Sequence, residues 1–255
     1  MSKIYDALRK AEKERGKPSE KPAAGVCPAP AVHIEDDALI LAGMDEHFRR
    51  SLLNLKNAID SEMKEKKSRV ILFTSAIRGE GKTTVVASLA RVLSLGESQK
   101  ILLVDCSVRN PEIGRLFGAK GGKGIIDFLE GRANLAEIIQ PVTHGVLDLV
   151  TTGASDSLDI TQPLFNSDRF AAFIKGVAEA YDYVLIDSSA ILEAPETPIV
   201  GSHADGIVMV VHAGKTRREV IKRAMVMVQK LDGKFIGAVL NRKKYHIPEF
   251  LYRRV

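Results

Sequence analysis

The sequence predicts an α/β fold, a doubly wound and mostly parallel sheet with helices on both faces, and three observations carry that prediction. Short apolar runs alternate with amphipathic stretches of helical period along most of the 255-residue chain. The runs are continuously apolar, as in Val70-Ile71-Leu72-Phe73 and Ile101-Leu102-Leu103-Val104, which suits strands covered on both faces. Several are followed by a polar residue (Asp105, Asp187, Asn241) at the strand end where an open parallel sheet gathers its ligands.

In chain order, residues 2–15 read as an amphipathic helix with Ile4, Leu8 and Ala11 on one face and Tyr5 beside them. So short a helix is marginal alone, and its docking on this chain or on a partner or lipid surface stays open. Residues 17–35, rich in Pro, Gly and Ala, read as a flexible linker. The expected organisation is an N-terminal helix over 1–16, this linker, and one α/β domain over 36–255. A helix follows at about 44–66, with Phe48, Leu52, Leu55 and Ile59 as its apolar stripe. Strands are expected at 70–73, 101–104, 146–150, 183–186, 206–211 and 235–240. Helices are expected at 84–90, 170–180 and 216–231. Residues 110–131 read as short helices broken by Gly118, Gly121, Gly122 and Gly124.

The most informative stretch is RVILFTSAIRGEGKTTVVASLARVLSL, residues 69–95: a buried strand, then Ala76-Ile77-Arg78-Gly79-Glu80-Gly81-Lys82-Thr83, then a helix. This is the pattern of a phosphate-binding loop with Ala in place of the first Gly, so the fold expected is that of the phosphate-loop NTPases. Gly79 and Gly81 let the backbone curl until several N–H groups face one anion, and the helix N-terminus adds partial positive charge. Lys82 is expected to reach the β- and γ-phosphates and Thr83 to coordinate Mg²⁺, with Glu80 and Thr84 completing the nucleotide contact. Asp187, after an apolar strand, sits where such enzymes hold the metal. Asp105 has two roles open to it, holding the metal or accepting a proton from an attacking hydroxyl. Asn241 and Arg242 follow the last strand and are placed to contact the adenine base.

Composition narrows the setting. The chain is 45% hydrophobic and 27% charged, ordinary for a globular protein. No apolar run approaches the ~20 residues that span a bilayer, and no signal-peptide pattern opens the chain, so a cytoplasmic location is expected. Cys27 and Cys106 have no zinc-type spacing and make no disulfide framework. The net charge of +5 includes a basic tail (Arg242, Lys243, Lys244, Arg253 and Arg254), balanced between a solvated end and contact with anionic lipid or an acidic partner. The absence of a basic stripe with interleaved aromatics argues against nucleic acid.

The ordered motifs resemble those of the bacterial tyrosine kinases of capsule and exopolysaccharide synthesis, relatives of the Min/Par partition ATPases. Glu80-Gly81-Lys82-Thr83 looks like the family's Walker A. Asp105-Cys106-Ser107-Val108-Arg109 looks like its Walker A′, and Leu185-Ile186-Asp187-Ser188 like its Walker B. Ala204-Asp205-Gly206 and Val239-Leu240-Asn241-Arg242 match further landmarks. Ile77 stands where the partition ATPases carry a second lysine, which favours the kinase branch. The opening SKIYDALRKAE resembles members whose activator is a separate membrane protein of the chain-length-regulator kind.

The resemblance implies an ATP- and Mg²⁺-dependent protein-tyrosine kinase that phosphorylates itself. It further implies a homo-oligomer, held through its partner at the inner face of the cell membrane. Lys82, Asp105 and Asp187 would be catalytic, Thr83, Asp105 and Asp187 metal-binding, and Tyr245 and Tyr252 the phosphoacceptors. Three departures stand out. Ser107 replaces the second acid of Asp-x-Asp-x-Arg, Ser189 and Ala190 replace two prolines after Walker B, and Leu52 replaces the last arginine of Glu-x-x-Arg-x-x-Arg, whose first positions are Glu46 and Arg49. The lost acid keeps two alternatives in view: an ATPase switch of the Min/Par kind, and a degenerate ATP-binding scaffold of the same machinery.

Overall fold

A computed structural model describes residues 44–96, 98–119, 121–143, 145–153 and 161–243. The expected N-terminal helix and linker lie outside the described residues, as do Tyr245 and Tyr252.

The domain is a seven-stranded sheet whose strands are β1 (Arg69–Ser75), β2 (Ile101–Cys106), β3 (Ile139–Thr143), β4 (Leu147–Val150), β5 (Tyr183–Ser188), β6 (Gly206–His212) and β7 (Lys234–Asn241). They lie in the order β3-β4-β2-β5-β1-β6-β7. All neighbours run parallel except β3 and β4. The longer helices are α1 (Glu46–Glu62), α2 (Lys82–Ser94), α7 (Asp168–Ala180) and α9 (Arg218–Val228). Between them lie the short α3 (Ile113–Leu116), α4 (Ile125–Leu129), α5 (Leu135–Ile138), α6 (Thr161–Phe165) and α8 (Glu196–Gly201).

The period-2 geometry of a strand divides each apolar run between the two faces. Val70 and Leu72 of β1, with Val184 and Ile186 of β5, pack under α7 (Phe170, Phe173, Val177) and α9 (Ala224, Val228). Ile71, Phe73, Tyr183 and Leu185 pack on the other face under α1 (Leu52, Ile59) and α2 (Val85, Leu89). Continuous apolar runs are therefore the sequence of strands with no solvent face. Leu52 is buried in this second core, so the position where the family motif carries its last arginine faces inward here. Asp60 ties α1 to the sheet: it accepts from the Tyr183 hydroxyl, while Lys56 Nζ at 2.5 Å and Arg69 Nε at 3.2 Å pair with it.

Two kinds of element escape the sequence reading. Strand β3 is a short antiparallel edge carrying Pro141, which an edge tolerates because only one side needs a donor. Helices α5, α6 and α8 are too short to show a period.

Candidate functional site

The loop between β1 and α2 curls through two left-handed glycines, Gly79 at φ +83° and Gly81 at φ +88°. A Cβ at Gly79 would meet no atom within 4 Å, whereas one at Gly81 would lie 2.1 Å from Asn241 Nδ2. Gly81 is also the N-cap of α2, and no side chain caps that end. The first-turn amides of a 13-residue helix are thus left for an anion.

The loop is braced from beneath. The buried Glu80 carboxylate accepts from Ile77 N at 2.9 Å, His212 N at 3.1 Å and Thr216 Oγ1 at 2.5 Å. Asn241 Nδ2 donates to the Glu80 carbonyl at 2.9 Å. The ends of β6 and β7 therefore pin the turn. Glu80 and Asn241, both counted among the nucleotide-contacting residues, have these side chains turned to the loop and to the β6 end beside it, since a strained turn needs its polar groups satisfied.

Above the loop opens a cavity of about 500 Å³. Gly79, Gly81, Lys82, Thr83, Thr84 and Arg242 line it, so six of the residues singled out from sequence share one space. Arg242 reaches it from a left-handed turn at φ 56°, where its N–H donates to Asn241 Oδ1.

At the cavity floor three side chains touch. Lys82 Nζ donates to Thr83 Oγ1 at 3.1 Å and lies 3.5 Å from Asp187 Oδ1. Thr83 Oγ1 donates to Asp187 Oδ2 at 2.7 Å. Asp187 is fully buried, and burial pushes its pKa up against the pull of Lys82 and Thr83. Its Oδ1 has no hydrogen-bond partner.

Asp105 pairs in register with Asp187 across β2 and β5. Burial, then the neighbouring Asp187 charge, pushes its pKa up to about 7. Its two oxygens accept from Ser107 N at 2.9 Å and Ile113 N at 3.1 Å, so the carboxylate also ties the β2–α3 connection to the strand end. It borders a second cavity of about 400 Å³, beside Gly114, Thr151 and Gly153. Ser107, Arg109 and Ser189 border the first.

The sequence reading assigned no part to Arg78, Glu193 or Glu196. Arg78 Nη2 donates to Asn110 Oδ1 at 2.5 Å and Arg78 N to Glu193 Oε1 at 3.0 Å, joining the phosphate loop to the two connections facing it. Glu196 pairs with Arg109 at 3.5 Å. Glu196 begins a six-residue helix, and no local pattern marks it out.

Comparison with known proteins adds the context. The model of a family described as "AAA domain" matches residues 68–236. The tyrosine-protein kinase YwqD of Bacillus subtilis (strain 168) is 30% identical over 200 residues, 78% of this chain and 81% of that protein. The tyrosine-protein kinase CpsD of Streptococcus agalactiae is 32% identical over 179 residues, 69% of this chain and 76% of its own length. Among solved structures, the kinase domain of the Escherichia coli tyrosine kinase ETK superposes with a TM-score of 0.72 at 21% identity, covering 97% of this chain and 91% of that one. At that identity the superposition speaks for the fold.

Proposed function

We propose, from the premise that this chain belongs to the AAA-domain family and to the bacterial tyrosine-protein kinases, that it transfers the γ-phosphoryl group of ATP to tyrosine hydroxyls, its own included. The setting implied by the resemblance is capsule or exopolysaccharide synthesis. The observation that carries this reading is the contact of Lys82, Thr83 and Asp187 beneath an uncapped, glycine-curled helix start.

In this reading the amides of residues 79–84 bind the phosphates, and Lys82 neutralises charge on the transferring group. The Thr83 hydroxyl and the Asp187 oxygen that lacks a hydrogen bond are hard oxygen donors that suit Mg²⁺. When bound, Mg²⁺ supplies charge neutralisation at the β- and γ-phosphates. The phenolic oxygen of the acceptor forms the new P–O bond, the bond to the bridging oxygen of ADP breaks, and the phenolic proton passes to Asp105. A carboxyl raised to about 7 is matched to that task, and each oxygen keeps a lone pair beyond its backbone hydrogen bond.

The membrane partner, a chain-length regulator acting as activator, rests on the resemblance of the opening SKIYDALRKAE. No described helix is long and apolar enough to cross a membrane, so the reading brings the chain to the membrane through that partner. Incubation with γ-labelled ATP and Mg²⁺ tests the function: label is expected on protein tyrosine in the wild type and lost in Lys82→Met. A second reading, an ATPase switch, is favoured by Ser107 standing at the cavity in place of an acid. It predicts that the label appears only as free phosphate.

A further inference from the structure

Four buried carboxylates gather around this site, and they are not treated alike. Glu80, Asp105 and Asp187 each accept hydrogen bonds. Glu196, at 1% exposure, accepts none on either oxygen. A buried carboxylate without hydrogen bonds is costly unless a charge compensates it. The compensating charge is Arg109, whose Nε lies 3.5 Å from Glu196 Oε1. That separation is long for a structural clamp, and the arginine is 43% exposed, bordering the same cavity as Lys82 and Thr83.

The fold fixes one end of this pair. Thr197 Oγ1 and Thr74 Oγ1 both donate to the Ser189 carbonyl, at 3.1 and 3.0 Å, anchoring the start of α8 to β1 and the exit of β5. Arg109 sits on the connection leaving β2, whose Asp105 is in register with Asp187. Both partners therefore leave the sheet beside Asp187, the residue that in a phosphate-loop protein marks the β- and γ-phosphates. A guanidinium whose Nε faces one carboxylate as an ion pair keeps its terminal N–H groups for a second anion.

We propose that Glu196 is a positioning residue: it holds the Arg109 guanidinium at the cavity so that Arg109 contacts the terminal phosphate of a bound nucleoside triphosphate. This rests on the nucleotide reading of the cavity and not on tyrosine transfer. Arg109 then supplies a second positive contact to the γ-phosphate beside Lys82, and ATP is favoured over ADP by an interaction that ADP cannot make.

The test is the ratio of affinities for ADP and for a non-hydrolysable ATP analogue, both with Mg²⁺, in wild type, Glu196→Gln, Arg109→Ala and the double variant. Glu196→Gln is expected to lower the preference for the triphosphate about tenfold while ADP affinity changes less than about twofold. Arg109→Ala gives the same loss, and the double variant loses no more than either single one. A merely structural Glu196 would weaken both nucleotides together. That result, an unchanged ratio in Glu196→Gln, or losses that multiply in the double variant would overturn the proposal. Should Glu196→Gln not fold, Arg109→Lys decides: it keeps the charge but lacks the fork, so the same loss supports the proposal and an unchanged ratio defeats it. Because no transfer is read, a chain that hydrolyses ATP without phosphorylating tyrosine leaves this result standing.

Discussion

At the scale of single residues, the phosphate loop depends on two glycines for different reasons. Both occupy left-handed backbone, but Gly79 faces open space while Gly81 lies against Asn241. Gly79→Ala is therefore expected to cost only backbone strain, about 1–2 kcal/mol. Gly81→Ala adds a clash that displaces the Asn241 side chain and frees the Glu80 carbonyl, and should cost clearly more, about 3 kcal/mol or above. Urea unfolding of the two variants measures the difference; equal losses would show that the Asn241 brace does not matter. The glycines and the Lys82-Thr83 pair were legible in the sequence because a curled anion-binding turn requires those residue types in that order. The inward roles of Glu80 and Asn241 were not, since Glu80 meets His212 and Asn241 at the ends of strands far along the chain.

At the scale of elements, the strand runs were readable because burial on both faces removes polar residues from a parallel strand. Strand β3 was not: its five residues include Pro141 and a half-exposed face, the pattern of a loop as much as of an edge. The β2–α3 connection shows another long reach of one residue, for Asp105 holds both Ser107 N and Ile113 N. Its carboxyl has a folded-state pKa of about 7 against an ordinary value of 3.8. Across that window the folded chain binds more protons than the unfolded one. This contribution to stability is thus fully present below about 4 and is lost as pH rises toward and through about 7. The nucleotide-free protein should accordingly lose more stability between pH 5.5 and 8 than Asp105→Asn does, as melting temperatures at each pH would record. Parallel profiles would place the raised pKa elsewhere.

At the scale of the whole molecule, the order of strands brings together what the sequence spreads apart. Strand β5 lies between β1 and β2, so Asp187 meets the phosphate loop on one side and Asp105 on the other, though Thr83 and Asp187 are 104 positions apart. That convergence is what the sequence reading anticipated from polar residues following apolar runs. The Arg109–Glu196 pair was beyond it, because a buried carboxylate on a six-residue helix has no pattern until the chain is folded. This assembly moves phosphate from ATP to tyrosine, and phosphosite mapping by mass spectrometry after incubation with Mg²⁺-ATP reads that transfer out. Phosphotyrosine is expected at Tyr245 or Tyr252 in the wild type and none in Lys82→Met. ATP consumed by the wild type with every tyrosine unmodified would contradict it.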